Sequence, residues 1–279
     1  MKPAFVQTPS TRNPSEIDVS ILVPSFNSHP YIGDSVRSAL NQASATLEVI
    51  VQDGGSTDGS IDALRAFSDP RLRIISEPDR GQSDALNRAL HRAQGEFVMW
   101  LNADDLLVRG SIATLLAAAR DQDLNIVHGN FQTIDVSGSV IKTYSSASLD
   151  RGRLIRHGTY IFSGALLIRR SLLLQAGGFD VTLHYCMDYD LLLRLADRRT
   201  ATGRISQVVA QFRSQPTSKS ESVRVPFLRE WLIVARRHGA TSFDSVRTII
   251  VFTTYSALRP VWRSRAWLRV RARKHLGGS

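Results

Sequence analysis

Along the first hundred residues, short apolar runs alternate with stretches in which apolar positions recur every three or four residues. DVSILVPSFN (18–27), LEVIVQDGGS (47–56), RLRIISEPD (71–79) and GEFVMWLNADD (95–105) each carry a β-branched or aromatic run that stops at polar, turn-forming residues, the pattern of a short buried strand. Between them, PYIGDSVRSALNQ, DGSIDALRAF and GQSDALNRALHRAQ set apolar residues such as Leu86, Leu90 and Ala93 at helical spacing. Strands that alternate with helices and are apolar on both faces predict a mainly parallel sheet covered on both sides, an α/β fold.

The pattern becomes more mixed from Arg109. SIATLLAAARDQ predicts a helix, NIVHGNFQTIDVSGSVIKTY predicts a hairpin turning at its DVSG, and MDYDLLLRLADRR predicts a helix with Leu191, Leu192, Leu195 and Ala196 on one face. After QPTSKSES the chain turns helical and Arg-rich. The expected organisation is a polar arm over 1–17, one Rossmann-like domain over 18–215 and a helical basic extension over 216–279.

Composition sharpens this outline. With 279 residues, 43% of them hydrophobic, the chain can fill one large core. A single cysteine, Cys186, excludes an intramolecular disulfide framework. No secretory signal and no 18-residue uncharged apolar stretch is found, so the expectation is a soluble or peripheral protein with the cytoplasm as default. The net charge of +10 is uneven, because the last 59 residues hold 12 basic and 3 acidic residues. Residues 259–274 carry seven basic residues, no acidic ones, and Trp262 and Trp267. That segment suits the surface of an anionic membrane, and it suits equally a solvated helix packed on the domain. A nucleic-acid partner is a competing reading, disfavoured because the basic residues sit at one end while an acidic rim would repel a phosphate polymer.

The rim follows from topology. Ligands of open α/β sheets bind outside the carboxyl ends of the strands, and three strands deliver Pro24-Ser25-Phe26-Asn27, Asp53-Gly54-Gly55-Ser56-Thr57-Asp58 and Asn102-Ala103-Asp104-Asp105 to such loops. A divalent cation relieves repulsion between converging carboxylates, and oxygen ligands suit Mg²⁺ or Mn²⁺. Taken alone, the two aspartates fit a loop and helix N-cap as well.

VSILVPSFN, VIVQDGGSTDGS, EPDRGQSDALNRAL, FVMWLNADD and GGFD…YCMDYDLLLRLA together resemble, in order and spacing, the family 2 glycosyltransferases, which have the type A nucleotide-sugar transferase fold. The resemblance covers residues 18–215. It implies inverting transfer of a sugar from a nucleotide-diphosphate donor, typically a UDP-sugar, to an acceptor hydroxyl. Residues 18–108 would bind the donor, and 109–215 the acceptor and the base. The basic tail would fit an enzyme with a lipid-linked saccharide acceptor. By resemblance, Pro24, Phe26 and Asn27 line base and ribose, and Asp53 accepts a hydrogen bond from the base. Gly54 lets the backbone approach a ligand closely, and Arg80, Asp84 and Asn87 flank the donor. Asp104 and Asp105 match the metal-binding acidic motif, one carboxylate holding the Mn²⁺ or Mg²⁺ and another the ribose. Asn102 stands where many relatives have a further aspartate, and Gln215 where a histidine often lies near the diphosphate, so a noncatalytic relative is a third reading. Arg213 is a further phosphate candidate, set against an ordinary solvated loop. Asp188 occupies the place of the base, at a helix N-terminus whose dipole favours its ionised form. Asp190 is expected to orient neighbours, and Cys186 to be a packed small residue.

Overall fold

The computed structural model describes residues 5–7, 17–42, 45–198, 200–215, 224–250 and 252–253. Most of the expected arm, and all of the 259–274 segment, lie outside the described residues. The strands are β1 (Phe5–Gln7), β2 (Val19–Ser25), β3 (Leu47–Asp53), β4 (Leu72–Ser76), β5 (Phe97–Trp100), β6 (Leu106–Leu107), β7 (Ile126–Ile134), β8 (Val140–Tyr144), β9 (Leu166–Arg169) and β10 (Thr202–Arg213). The helices are α1 (Ile32–Leu40), α2 (Ser60–Arg65), α3 (Gln82–Arg92), α4 (Ser111–Asp121), α5 (Arg151–His157), α6 (Arg170–Gln175), α7 (Met187–Asp197) and α8 (Arg224–Arg237).

Among the described residues the strands form one sheet in the order β1-β4-β3-β2-β5-β9-β7-β10-β6, with β8 paired to β7. β4, β3, β2 and β5 are parallel neighbours, and so are β7 and β10. β9 lies antiparallel between β5 and β7, so the two parallel groups point the same way. The sheet is mixed and mostly parallel. The DVSG turn joins β7 to β8 as a hairpin, where Asp135 accepts the Ser137 and Ser139 amides at 2.8 and 2.9 Å.

Alternation along the strands builds two apolar layers. Val19, Ile21 and Val23 face one layer with α1, α2 and α4, whereas Leu22 faces the other with α3, α6 and α7. The same two-residue period sends Val49 and Val51 one way and Ile50 the other, because successive side chains of a strand point to opposite faces. Each fully buried leucine or isoleucine contributes roughly 1.5–3 kcal/mol. The second layer also takes in Val234 and Ala235 of α8, so the start of the C-terminal extension packs into the domain's core. No helix among the described residues is long and apolar enough to cross a membrane.

Candidate active site

The strands that share a direction end on one side, and a cavity of about 720 Å³ opens there. Loops after β2, β3, β4, β5 and β10 contribute Phe26, Gly54, Asp79, Asp104 and Gln215 to its wall, while the start of α7 contributes Asp188 and α8 contributes Phe227. This is the carboxyl-end crevice expected of the topology.

Of the residues singled out in the sequence, Pro24, Phe26, Asn27, Gly54, Asp104 and Asp188 line the cavity. Phe26 is 63% exposed there, an apolar ring open to a ligand. Asn27 takes φ of 48°, a left-handed conformation that asparagine tolerates. It joins two loops, with Thr57 N–H donating to Asn27 Oδ1 at 3.0 Å and Asn27 N–H to Ser56 Oγ at 2.7 Å. Asp79, absent from the sequence candidates, belongs beside them. A Cβ on Gly54 would lie 2.8 Å from Asp79 Oδ2, so glycine is what admits that carboxyl group to the wall. Asp79 has its pKa raised by burial and by the nearby Asp84 and Asp53, against the hydrogen bond from Gly81 N–H.

Of the remaining candidates, Arg80 is exposed to solvent outside the cavity lining, and the others stand behind the wall. Asp53 is fully buried and accepts the Gly55 and Ser56 amides at 2.9 Å and Ser76 Oγ at 2.7 Å, which fixes the turn that presents Gly54. Asp84 pairs with Arg80 at 3.2 Å and Arg88 at 2.8 Å, and the partners hold its pKa low although burial opposes them. Asn87 spends both ends of its amide on the backbone of Phe179, at 2.8 Å each. Asn87 thus turns to the 176–180 loop and Asp84 to Arg80 and Arg88, and neither is among the residues that line the cavity. Arg213 is also structural. Buried against Tyr31, its ring contact at 4.8 Å, it donates from Nε to the Asp104 carbonyl at 3.0 Å.

The two adjacent aspartates divide. Asp105 points inward and is fully buried, accepting Arg213 N–H at 2.9 Å and Asn102 Nδ2 at 2.7 Å. Asp104 points into the cavity and accepts Gln215 Nε2 at 2.6 Å. Burial raises both pKa values, that of Asp105 the more strongly because it lies deeper and, after that, because Asp104 stands beside it. Among the described residues, no group of three His, Cys, Asp or Glu side chains could hold a metal by itself. Among the described residues no cationic side chain is in hydrogen-bond contact with the half-buried Asp104 carboxylate, which suits an ion that takes most of its ligands from substrate phosphate and water, as Mg²⁺ does. The donor set therefore fits a substrate-borne cation held through Asp104, with Asp105 orienting the loop.

Asp188 lies half-buried in the first turn of α7. Burial, with the Glu230 carboxylate adding to it, raises its pKa against the hydrogen bond from Tyr189 N–H. The helix dipole argues for the opposite shift, and burial outweighs it. Asp190 is paired with Arg194 at 2.7 Å and has His238 Nε2 at 3.1 Å, as an orienting residue should. Cys186 is buried with its thiol pushed far up by burial and by Asp188 and Glu230, so it is no nucleophile.

The sheet, its helical cover and the crevice at the strand ends define a nucleotide-sugar transferase fold of type A. TarS from S. aureus, solved over residues 1–349 with UDP-GlcNAc, superposes with a TM-score of 0.66 at 18% identity, over 83% of this chain and 69% of that one. A mannosyltransferase from Pyrobaculum calidifontis, solved with GDP-Man and Mn²⁺, superposes with a TM-score of 0.61 at 24% identity, over 98% of this chain and 80% of that one. Residues 20–177 match the family model of Glycosyl transferase family 2, and the chain belongs to that family. Chondroitin synthase of Pasteurella multocida (strain Pm70) is 32% identical over 187 residues, which is 64% of this chain but 19% of the relative. This chain thus spans about a fifth of the length of that synthase. The Escherichia coli UDP-Glc:alpha-D-GlcNAc-diphosphoundecaprenol beta-1,3-glucosyltransferase WfgD is 26% identical over 215 residues, 76% of this chain and 83% of WfgD.

Proposed function

We propose that this chain moves a sugar, with inversion, from a UDP-sugar to an acceptor hydroxyl on a cell-envelope glycan or a lipid-linked saccharide. The observation that carries the reading is that Asp104 and Asp188 line one cavity together with an exposed aromatic ring, Phe26. Phe26, with Pro24, offers an apolar wall for a flat heterocycle. Asp104 faces the place for a diphosphate and would hold Mn²⁺ or Mg²⁺ there, with Gln215 against its second oxygen. When bound, the ion supplies Lewis-acid neutralisation of the departing diphosphate. Asp188 accepts the proton of the attacking hydroxyl, and its raised pKa makes it a stronger base than an exposed aspartate. The relatives agree in kind: WfgD is named for a UDP-glucose donor and a diphosphoundecaprenol-linked acceptor, and the chondroitin synthase for a polysaccharide.

The test is a thermal-shift panel of nucleotide diphosphates and their sugars, with and without Mn²⁺, on the wild type and Asp104→Ala. A Mn²⁺-dependent stabilisation by UDP that disappears in the variant is expected. No stabilisation by any nucleotide would overturn the reading.

A further inference from the structure

We propose that Glu230 is a positioning residue for Asp188, holding from α8 the loop on which the base depends. The inference rests on the reading of Asp188 as the base. Glu230 Oε1 accepts the N–H groups of Tyr185 and Cys186 at 2.6 and 2.7 Å, and Oε2 accepts that of His184 at 3.0 Å. One carboxylate thus collects three consecutive amides of an irregular loop, amides that would otherwise need solvent or another acceptor. Bonds from backbone N–H to an ionised acceptor are roughly twice as strong as neutral ones. Cys186 is the N-cap of α7, and Asp188 lies in that helix's first turn. Fixing 184–186 therefore fixes the direction in which Asp188 leaves the helix.

The holder is itself held. On α8, Trp231 packs on Tyr189 with ring centroids 5.4 Å apart, and Phe227 meets Trp231 edge-on at 5.7 Å. Val234 and Ala235 are buried in the layer that also contains Leu191 and Leu195 of α7. Just beyond α8, His238 Nε2 approaches Asp190 Oδ1 at 3.1 Å. Contacts from Glu230, Trp231 and His238 thus hold the start of α7 and its N-cap at residues 186, 189 and 190. Glu230 is the one carboxylate in RVPFLREWLIVARR, a helix with four arginines, so general surface composition does not account for it. Phe227, one turn earlier, reaches the cavity wall. The helix that positions the base therefore also shapes the acceptor side, which makes this part of the 216–279 extension a component of the site.

The test compares full-chain wild type, Glu230→Ala, Glu230→Gln and Asp188→Asn by amide hydrogen exchange and by steady-state transfer with the donor found in the nucleotide panel. In Glu230→Ala the His184, Tyr185 and Cys186 amides should exchange faster. kcat should fall about tenfold or more, a barrier change of about 1.4 kcal/mol, while donor KM and UDP affinity stay within about twofold. Glu230→Gln keeps an oxygen for Tyr185 and Cys186 and should recover most of kcat, with faster exchange confined to His184. If Glu230→Ala does not fold, that confined change in Glu230→Gln decides the matter. Unchanged exchange at 184–186, or loss of UDP affinity in step with kcat, would overturn the proposal. Failure of the underlying reading looks different: the wild type binds no nucleotide, or Asp188→Asn transfers at full rate, while the exchange data still report on the clamp.

Discussion

Gln215 donates its side-chain amide to Asp104 Oδ2 across 2.6 Å, joining the end of β10 to the loop after β5. An imidazole at this position would face the same carboxylate with a better ligand for Mn²⁺. Gln215→His should tighten Mn²⁺ binding to the UDP complex by about tenfold, or about 1.4 kcal/mol. Titration calorimetry of Mn²⁺ into the UDP complex measures this, and equal affinities would count against Asp104 as the ion's ligand.

Asp104 and Asp105 should separate under mutation. Asp105→Ala strands the buried Arg213 N–H, at a cost of roughly 1–3 kcal/mol, and removes the acceptor that holds the Asn102 amide. Its Tm should drop steeply. Asp104→Ala should leave Tm nearly unchanged while abolishing the Mn²⁺-dependent response to UDP, and paired melting curves with and without Mn²⁺ distinguish the two.

Asp188→Asn should lower kcat by roughly 10²–10⁴-fold, the range typical of general acid–base catalysis, and leave UDP affinity intact. The wild-type pH profile carries a second signature. A base works only when deprotonated, so activity rises with pH through its pKa. Because burial and Glu230 raise that pKa, the acidic limb should lie above the ordinary aspartate value of about 3.9. A limb at or below that value would point to a different base.

Phe26 is 63% exposed and supports little of the core. Phe26→Ala should leave Tm unchanged and weaken UDP binding by about 1–3 kcal/mol, the worth of stacking one base on an aromatic ring. Unaltered affinity in calorimetry would remove the ring from the donor's path.

His128 should dominate acid sensitivity on β7. It is 1% exposed beside Ser146, and burial, then the Arg204 charge, lower its pKa from 6.5 to about 4. The unfolded chain binds a proton as pH falls below 6.5 and the folded one does not until about 4, so stability is lost over that window. The full loss is about 3 kcal/mol at 1.36 kcal/mol per unit. Denaturant midpoints between pH 7 and 4 should fall less in His128→Asn, which lacks the titrating ring.

The alternation of strands and helices up to residue 105 was legible because each run is apolar on both faces and ends in turn-forming residues. The place of Asp188 in the first turn of a helix was legible because the leucine-rich helical pattern begins at MDYD. β9 was not, since LLIR runs straight into the apolar α6 and nothing local says that it enters the sheet antiparallel between two parallel groups. The opposite orientations of Asp104 and Asp105 come from Arg213, more than a hundred residues away in sequence. Asp79 and Glu230 were missed for the same reason: one depends on the missing Cβ of Gly54, the other on the docking of α8 onto α7. The spacing of Asp84 and Asn87 on α3 could not say what each would meet, Arg80 and Arg88 for the one and the Phe179 backbone for the other.

The crevice is assembled from loops that leave β2, β3, β4, β5 and β10 separately and from helices α7 and α8 on the far side. Asn27 ties the β2 loop to the β3 loop and Gln215 ties the end of β10 to the β5 loop, whereas α7 and α8 are tied to each other through Glu230. Under the proposed function, preference for the activated sugar and preference for the molecule that receives it can therefore diverge independently over evolutionary time, and an engineer could graft one half of the specificity while leaving the other as found.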